Sequence, residues 1–148
     1  SRCFAIPALF CFAVTLMAEV VPIRGVIKYR GRARQIIDFR GLTYGNITPT
    51  DIDGLIEYKD KCILLIEIKH QSKPDLDFGQ RVAFERVCTG MNKPTLLLHA
   101  VHNEPVQNDI DAADCVVHRY FWKKKWLIPR FIVTVKEAAD KFFTRYDV

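Results

Sequence analysis

Hydrophobic positions along the chain fall into short runs broken by charged or Gly/Pro-containing stretches. Two β-prone runs, Thr50–Tyr58 and Cys62–Lys69, flank Lys59-Asp60-Lys61 and predict a central hairpin. Thr95–Ala100 is continuously apolar and predicts a buried strand reached through a helical crossover. Cys115–Trp122 and Trp126–Ile128 flank Lys123-Lys124-Lys125 and predict a second hairpin. Between the first hairpin and the apolar run the period changes. Gln80, Ala83, Phe84 and Val87 follow helical spacing within Phe78–Thr89, with Asp77 as N-cap, Gly90 at the C-terminal end and Pro94 blocking continuation. A terminal helix is predicted over Thr134–Tyr146, where Thr134 and Glu137 form a capping-box pattern and Val135, Ala139, Phe142 and Tyr146 line one face. Upstream, Val20–Tyr29 reads as a strand, Arg32–Phe39 as a short helix ended by Gly41, and Gly45-Asn46 as a turn. The sum is an α/β fold, a mixed β-sheet with a central hairpin flanked by helices.

Two acids in the first hairpin are out of keeping with their surroundings. Glu67 and Lys69 close a hydrophobic strand, and residues two apart share a face. Antiparallel pairing keeps the sum of partner numbers constant. If Tyr58 and Cys62 flank a three-residue loop, Asp53 falls opposite Glu67, and Asp51 opposite Lys69. A two-residue loop at Lys59-Asp60 would send Asp53 and Glu67 to opposite faces. Opposed Cβ atoms lie ~5 Å apart, so two carboxylates there repel unless a cation sits between them. Mg²⁺ suits that place, being bound by one or two carboxylates plus waters and phosphate oxygens. The alternative is a solvent-facing Glu67–Lys69 ion pair on an edge strand, contributing ~0–1 kcal/mol.

Asp53-Gly54-Leu55 followed by Glu67-Ile68-Lys69 at a strand end resembles the PD-(D/E)XK nuclease superfamily. The wording is most similar to the lambda-type phage exonucleases and their RecB-like relatives, which also carry a glutamine on the following helix, where this chain has Gln80. The likeness covers roughly Gly45–His102. Ile52 stands where the family's proline usually precedes the aspartate, which keeps Asp51 as a candidate second ligand. The resemblance implies a restriction-endonuclease-like core and Mg²⁺-dependent cleavage of DNA, with Mn²⁺ as substitute, in phage or prokaryotic recombination, repair or processing. It implies Asp53, Glu67 and the Ile68 carbonyl as metal ligands, Lys69 acting on the attacking water, and Gln80 positioning water or backbone. A catalytically inactive nucleic-acid-binding or assembly protein on the same fold is the alternative. A purely interacting domain, working through its basic arm, is a third class.

Charge adds a candidate DNA contact. Arg24, Lys28, Arg30, Arg32, Arg34 and Arg40 stand against Asp38 alone, which equals the whole formal net charge of +5. Such an arm suits a polyanion, with Arg30, Arg32 and Arg34 at its centre, although a solvated surface would give the same pattern. Lys123, Lys124 and Lys125 beside Tyr120, Phe121, Trp122 and Trp126 could hold phosphates and stack bases. Edge protection by lysines and core filling by aromatics is the stronger reading there. Five scattered cysteines, with no Cys-x-x-Cys, argue for reduced thiols and against a disulfide framework or zinc site. His99 and His102 read as strand-end residues. Asp109, Asp111 and Asp114 lack the Gly and terminal Glu of a calcium loop, so Asn103–Asp114 reads as a solvated loop or short helix.

The apolar run Cys3–Leu16 is short for a membrane span and lacks a small-residue cleavage site. We expect residues 1–16 to be an N-terminal extension preceding a start at Met17, and residues 17–148 to form one domain. A cytoplasmic protein of a prokaryote or phage-infected cell, acting on DNA and not on membranes, is the expectation; a homo-oligomer interface is not readable.

Overall fold

A computed structural model describes Gly25, Tyr29, Gly31 and residues 38–147. The expected strand Val20–Tyr29, the helix Arg32–Phe39, the extension 1–16 and the arginines Arg30, Arg32 and Arg34 lie wholly or mainly outside these residues. The chain divides into two units, 1–38 and 39–148, and the second carries the sheet.

It is an α/β structure with a mixed five-stranded sheet in the order β1-β2-β3-β4-β5. The strands are β1 Gly54–Tyr58, β2 Cys62–His70, β3 Thr95–His102, β4 Val116–Trp122 and β5 Lys125–Leu127. Helix α1, Phe78–Gly90, joins β2 to β3, and α2, Val135–Thr144, follows β5. The β2–β3 pair is parallel, as the helical crossover requires, and the other pairs are antiparallel. The strand-to-strand order therefore puts β2 inside the sheet, with β1 at its edge.

Alternation along β2 and β3 divides the core between two faces. Leu64, Ile66, Leu96, Leu98 and Ala100 pack with Val135, Ala139 and Phe142 of α2. Leu65 and Leu97 pack with Phe84 of α1 and with Phe121. Both faces of β2 are covered, which explains its nearly unbroken apolar sequence. The burial of α1 runs Gln80, Phe84, Cys88; Val87 is exposed, a correction to the expected face. Spacing of four from Phe84 brings Cys88, not Val87, over the sheet.

Both hairpins turn through left-handed residues. Lys59 and Asp60 have φ of 51° and 58°, and Lys61 completes the three-residue loop that leaves Tyr58 paired with Cys62. Lys123 and Lys124 have φ of 48° and 65° and form a two-residue turn, with Lys125 already paired to Trp122 in β5. The expected three-lysine loop is thus one residue too long. Two positive-φ residues match the strand twist in a tight turn, although side chains there cost about 1–2 kcal/mol each. The Gly45-Asn46 turn forms as expected, with Gly45 at φ 63° and Tyr44 and Ile47 exchanging backbone hydrogen bonds.

The capping box on α2 is complete. Thr134 Oγ1 accepts from the Glu137 N–H, and the Glu137 carboxylate accepts from the Thr134 N–H at 2.8 Å. Thr134→Ala should therefore lower stability by about 1 kcal/mol in urea unfolding, with no change in the slope. The Asn103–Asp114 stretch is mostly loop, closing in a 3-10 turn at Ala112–Asp114 capped by Asp111.

Candidate functional site

The ladder between β1 and β2 runs from Tyr58–Cys62 to Gly54–Ile66 without a slip. Continued by one residue, it sets Asp53 opposite Glu67. Asp53 Oδ2 accepts a hydrogen bond from the Ile68 N–H at 2.7 Å, so the acid grips the β2 backbone at the expected place. Asp53 also acts electrostatically on Glu67 and Lys69.

Glu67 is 2% exposed, on an inner strand. A solvated edge-strand pair is therefore not what Glu67 and Lys69 make. Glu67 Oε1 accepts from Lys69 Nζ at 2.8 Å and from Gln80 Nε2 at 2.7 Å. Its other oxygen, Oε2, is buried without a hydrogen bond. Burial pushes the Glu67 carboxyl above its ordinary pKa, and the Asp53 charge adds to this; the Lys69 and Gln80 hydrogen bonds pull the other way. Burial also pulls Lys69 down, but its contacts with Glu67 and the charges of Asp53 and Asp51 outweigh that and leave it raised.

Gln80 is buried, and α1 brings it over the sheet from its first turn. Gln80 stands three residues after Asp77, where an amide can close a capping box, but the Asp77 side chain makes no cap hydrogen bond and the Gln80 amide goes to Glu67 instead. Asp51 is exposed and lies beyond the paired strand, acting on Lys69 only through its charge.

Beside Glu67 lies a residue that sequence reasoning misplaced. His99 is the Cα partner of Glu67 on β3 and is 0% exposed, not a strand-end residue like His102. Burial first, then the charges of His118 and Arg119, lower its pKa to about 4, with the Pro74 backbone opposing and Lys69 adding a little. His99 pairs in turn with Arg119 on β4. A row of ionisable residues thus crosses the sheet: Asp53, Glu67, His99, Arg119. A register shift beside His99 inserts His118 as an extra residue, and its ring meets His99 edge-on at 5.4 Å between centroids. Arg119 is tied to Asp75 at 3.3 Å. An isolated polar residue in an apolar run was the one available signal for His99.

The lysine turn is elsewhere. Trp122 sits at the level of Leu96 and Leu64, so Lys123, Lys124 and Lys125 lie at the other end of the strands, roughly 17 Å or more from Lys69 along the strand direction alone. Three of the aromatic residues beside them have partners within the fold. Phe121 is buried, Trp126 Nε1 donates to Glu85 at 2.7 Å, and Trp122 meets Phe142 edge-on at 5.5 Å.

Among the described residues no three His, Cys, Asp or Glu side chains form a ready metal cluster, and no helix is long and apolar enough to cross a membrane. Two carboxylates and a free carboxylate oxygen nevertheless fit a hard divalent ion that takes the rest of its shell from carbonyl and water. Comparison with family models, characterised proteins and solved structures gave no match to this chain.

Proposed function

We propose that this chain is a Mg²⁺-dependent nuclease of the PD-(D/E)XK kind with a restriction-endonuclease-like core, hydrolysing phosphodiester bonds of DNA. The observation that carries the reading is Glu67: a buried carboxylate on an inner strand, held through one oxygen by Lys69 and Gln80, the other oxygen unbonded, with Asp53 across the ladder. Desolvating a carboxylate costs several kcal/mol, an expense a folding element has no reason to carry.

Asp53, Glu67 and the Ile68 carbonyl would hold the ion, with Asp51 as a further candidate. When bound, Mg²⁺ supplies charge neutralisation at a phosphoryl oxygen and a more acidic water. Gln80 fixes the Glu67 carboxylate from above. Lys69, about a quarter exposed, faces both acids and the open side. In the metal-free protein it is a firmly protonated cation. Its ammonium can orient the attacking water by hydrogen bonding; were the acids' charge taken up by the ion, the ammonium would lose that support, could release its proton to solvent, and as the neutral amine could then take one from the attacking water.

The test is cleavage of linear duplex, circular duplex and single-stranded DNA with and without Mg²⁺ or Mn²⁺. Cutting of any of them only with metal is the expected result. DNA retention without cutting under every condition would leave the inactive binding protein instead. Neutralising Arg30, Arg32 and Arg34 together should weaken binding to all sequences alike and reduce the slope of log K against log salt by about 3, near one per phosphate contact. An unchanged slope would return the arm to solvated surface.

A further inference from the structure

Glu67 Oε2, Gln80 Oε1 and the His99 ring nitrogens are buried without a close hydrogen-bond partner among the described residues, the Pro74 backbone being the one hydrogen-bonding influence on His99. All belong to one neighbourhood. Glu67 and His99 are partners on adjacent parallel strands, ~4.8 Å apart in the ladder direction. Gln80 is bonded to Glu67 through its amide nitrogen, which keeps its carbonyl oxygen close. Leaving one such atom unpaired costs roughly 1–3 kcal/mol, and native interiors leave few. Concentration of the orphans at a single place points to an occupant.

Donor and acceptor chemistry narrows what it is. Glu67 Oε2 and Gln80 Oε1 only accept, whereas a neutral imidazole carries one N–H and one acceptor nitrogen. The Pro74 carbonyl takes the His99 N–H, which leaves one bare ring nitrogen as an acceptor; a water donating to Glu67 Oε2 and to that nitrogen would satisfy both. We propose that Glu67, Gln80 and His99 enclose one ordered water, and that His99 acts through it as a positioning residue holding Glu67 Oε2 in its metal-binding rotamer. The His118 ring, seated edge-on by the β4 register shift, limits rotation of His99. His99 has no exposed surface, so this water is enclosed within the fold. The positioning role rests on the reading of Glu67 as a ligand; the hydration site does not.

The experiment has a metal-free arm and a metal arm. In the metal-free parent, water relaxation dispersion and water-to-imidazole cross-relaxation should reveal one long-lived water beside His99. His99→Leu should lose it. The absence of such a water in the parent overturns the proposal without recourse to any variant. In the metal arm, Mn²⁺ is titrated by calorimetry. His99→Leu should weaken binding about 10–100-fold, as loss of an outer-shell partner does, while His99→Gln, which keeps a donor and an acceptor, should stay within a few-fold. A histidine with a merely structural role would alter the melting temperature and leave Mn²⁺ affinity alike in parent, Leu and Gln proteins; that result overturns the positioning role. A parent that shows the water but binds no Mn²⁺ overturns both the positioning role and the nuclease reading, and leaves the hydration site standing.

Discussion

Lys69→Ala is expected to reduce turnover on the order of 10²–10⁴-fold while metal-dependent DNA binding survives. The ammonium lies 2.8 Å from Glu67 Oε1, and the acids around it raise its pKa in the metal-free protein. It therefore enters the site charged, as the group best able to orient a water or neutralise developing charge. Such interactions strengthen in the transition state, so their loss lowers kcat without a matching rise in KM. Lys69→Arg separates the two roles. Arginine keeps the charge but does not give up its proton near neutrality. Substantial activity in Lys69→Arg would mark a fixed charge; inactivity equal to Lys69→Ala would mark proton transfer or the need for a compact ammonium. The measurements are single-turnover cleavage and, separately, DNA retention in Ca²⁺. A Lys69→Ala protein cutting at the parental rate would remove Lys69 from the mechanism.

What the sequence disclosed follows the range of the forces involved. The Asp53–Glu67 juxtaposition depends on loop length alone, because pairing sums are fixed once Tyr58 and Cys62 are partners. The Thr134–Glu137 cap is likewise local and formed as read. Burial of Glu67 was hidden, since an inner or edge place for β2 depends on where β3 docks after the crossover. His99 was lost for the same reason: its neighbour Glu67 is set by parallel register, which no turn specifies. The lysine hairpin was misjudged by one residue because lysine disfavours the left-handed backbone that Lys123 and Lys124 adopt. Three residues after Asp77, the Gln80 amide could serve the helix end or the sheet, and only the docking of the helix over β2 brings a buried carboxylate within its reach.

Glu67→Gln should make the metal-free protein more stable and the metal-dependent one nearly inert. Burial raises the Glu67 pKa, so the folded state holds its proton more tightly than the unfolded chain. Glu67 consequently favours folding most at pH values below its unfolded pKa, and that contribution is lost as pH rises through the folded value. At neutral pH the buried charge is a liability, relieved only in part by Lys69 and Gln80. An amide of the same shape can still accept from both partners and carries no charge to desolvate. The melting temperature without metal should rise, by roughly 3–5 °C for each kcal/mol recovered. The gain should shrink on acidification, because the parent then protonates and regains the same stability. Metal affinity should move the opposite way, falling more than about 100-fold, beyond the loss of an outer-shell contact, with high Mg²⁺ restoring part of the cleavage. Melting curves across pH for parent and variant, paired with Mn²⁺ titrations, read both halves. A variant less stable than the parent at neutral pH and equal to it in Mn²⁺ affinity would make Glu67 a structural ion-pair partner of Lys69 and nothing more.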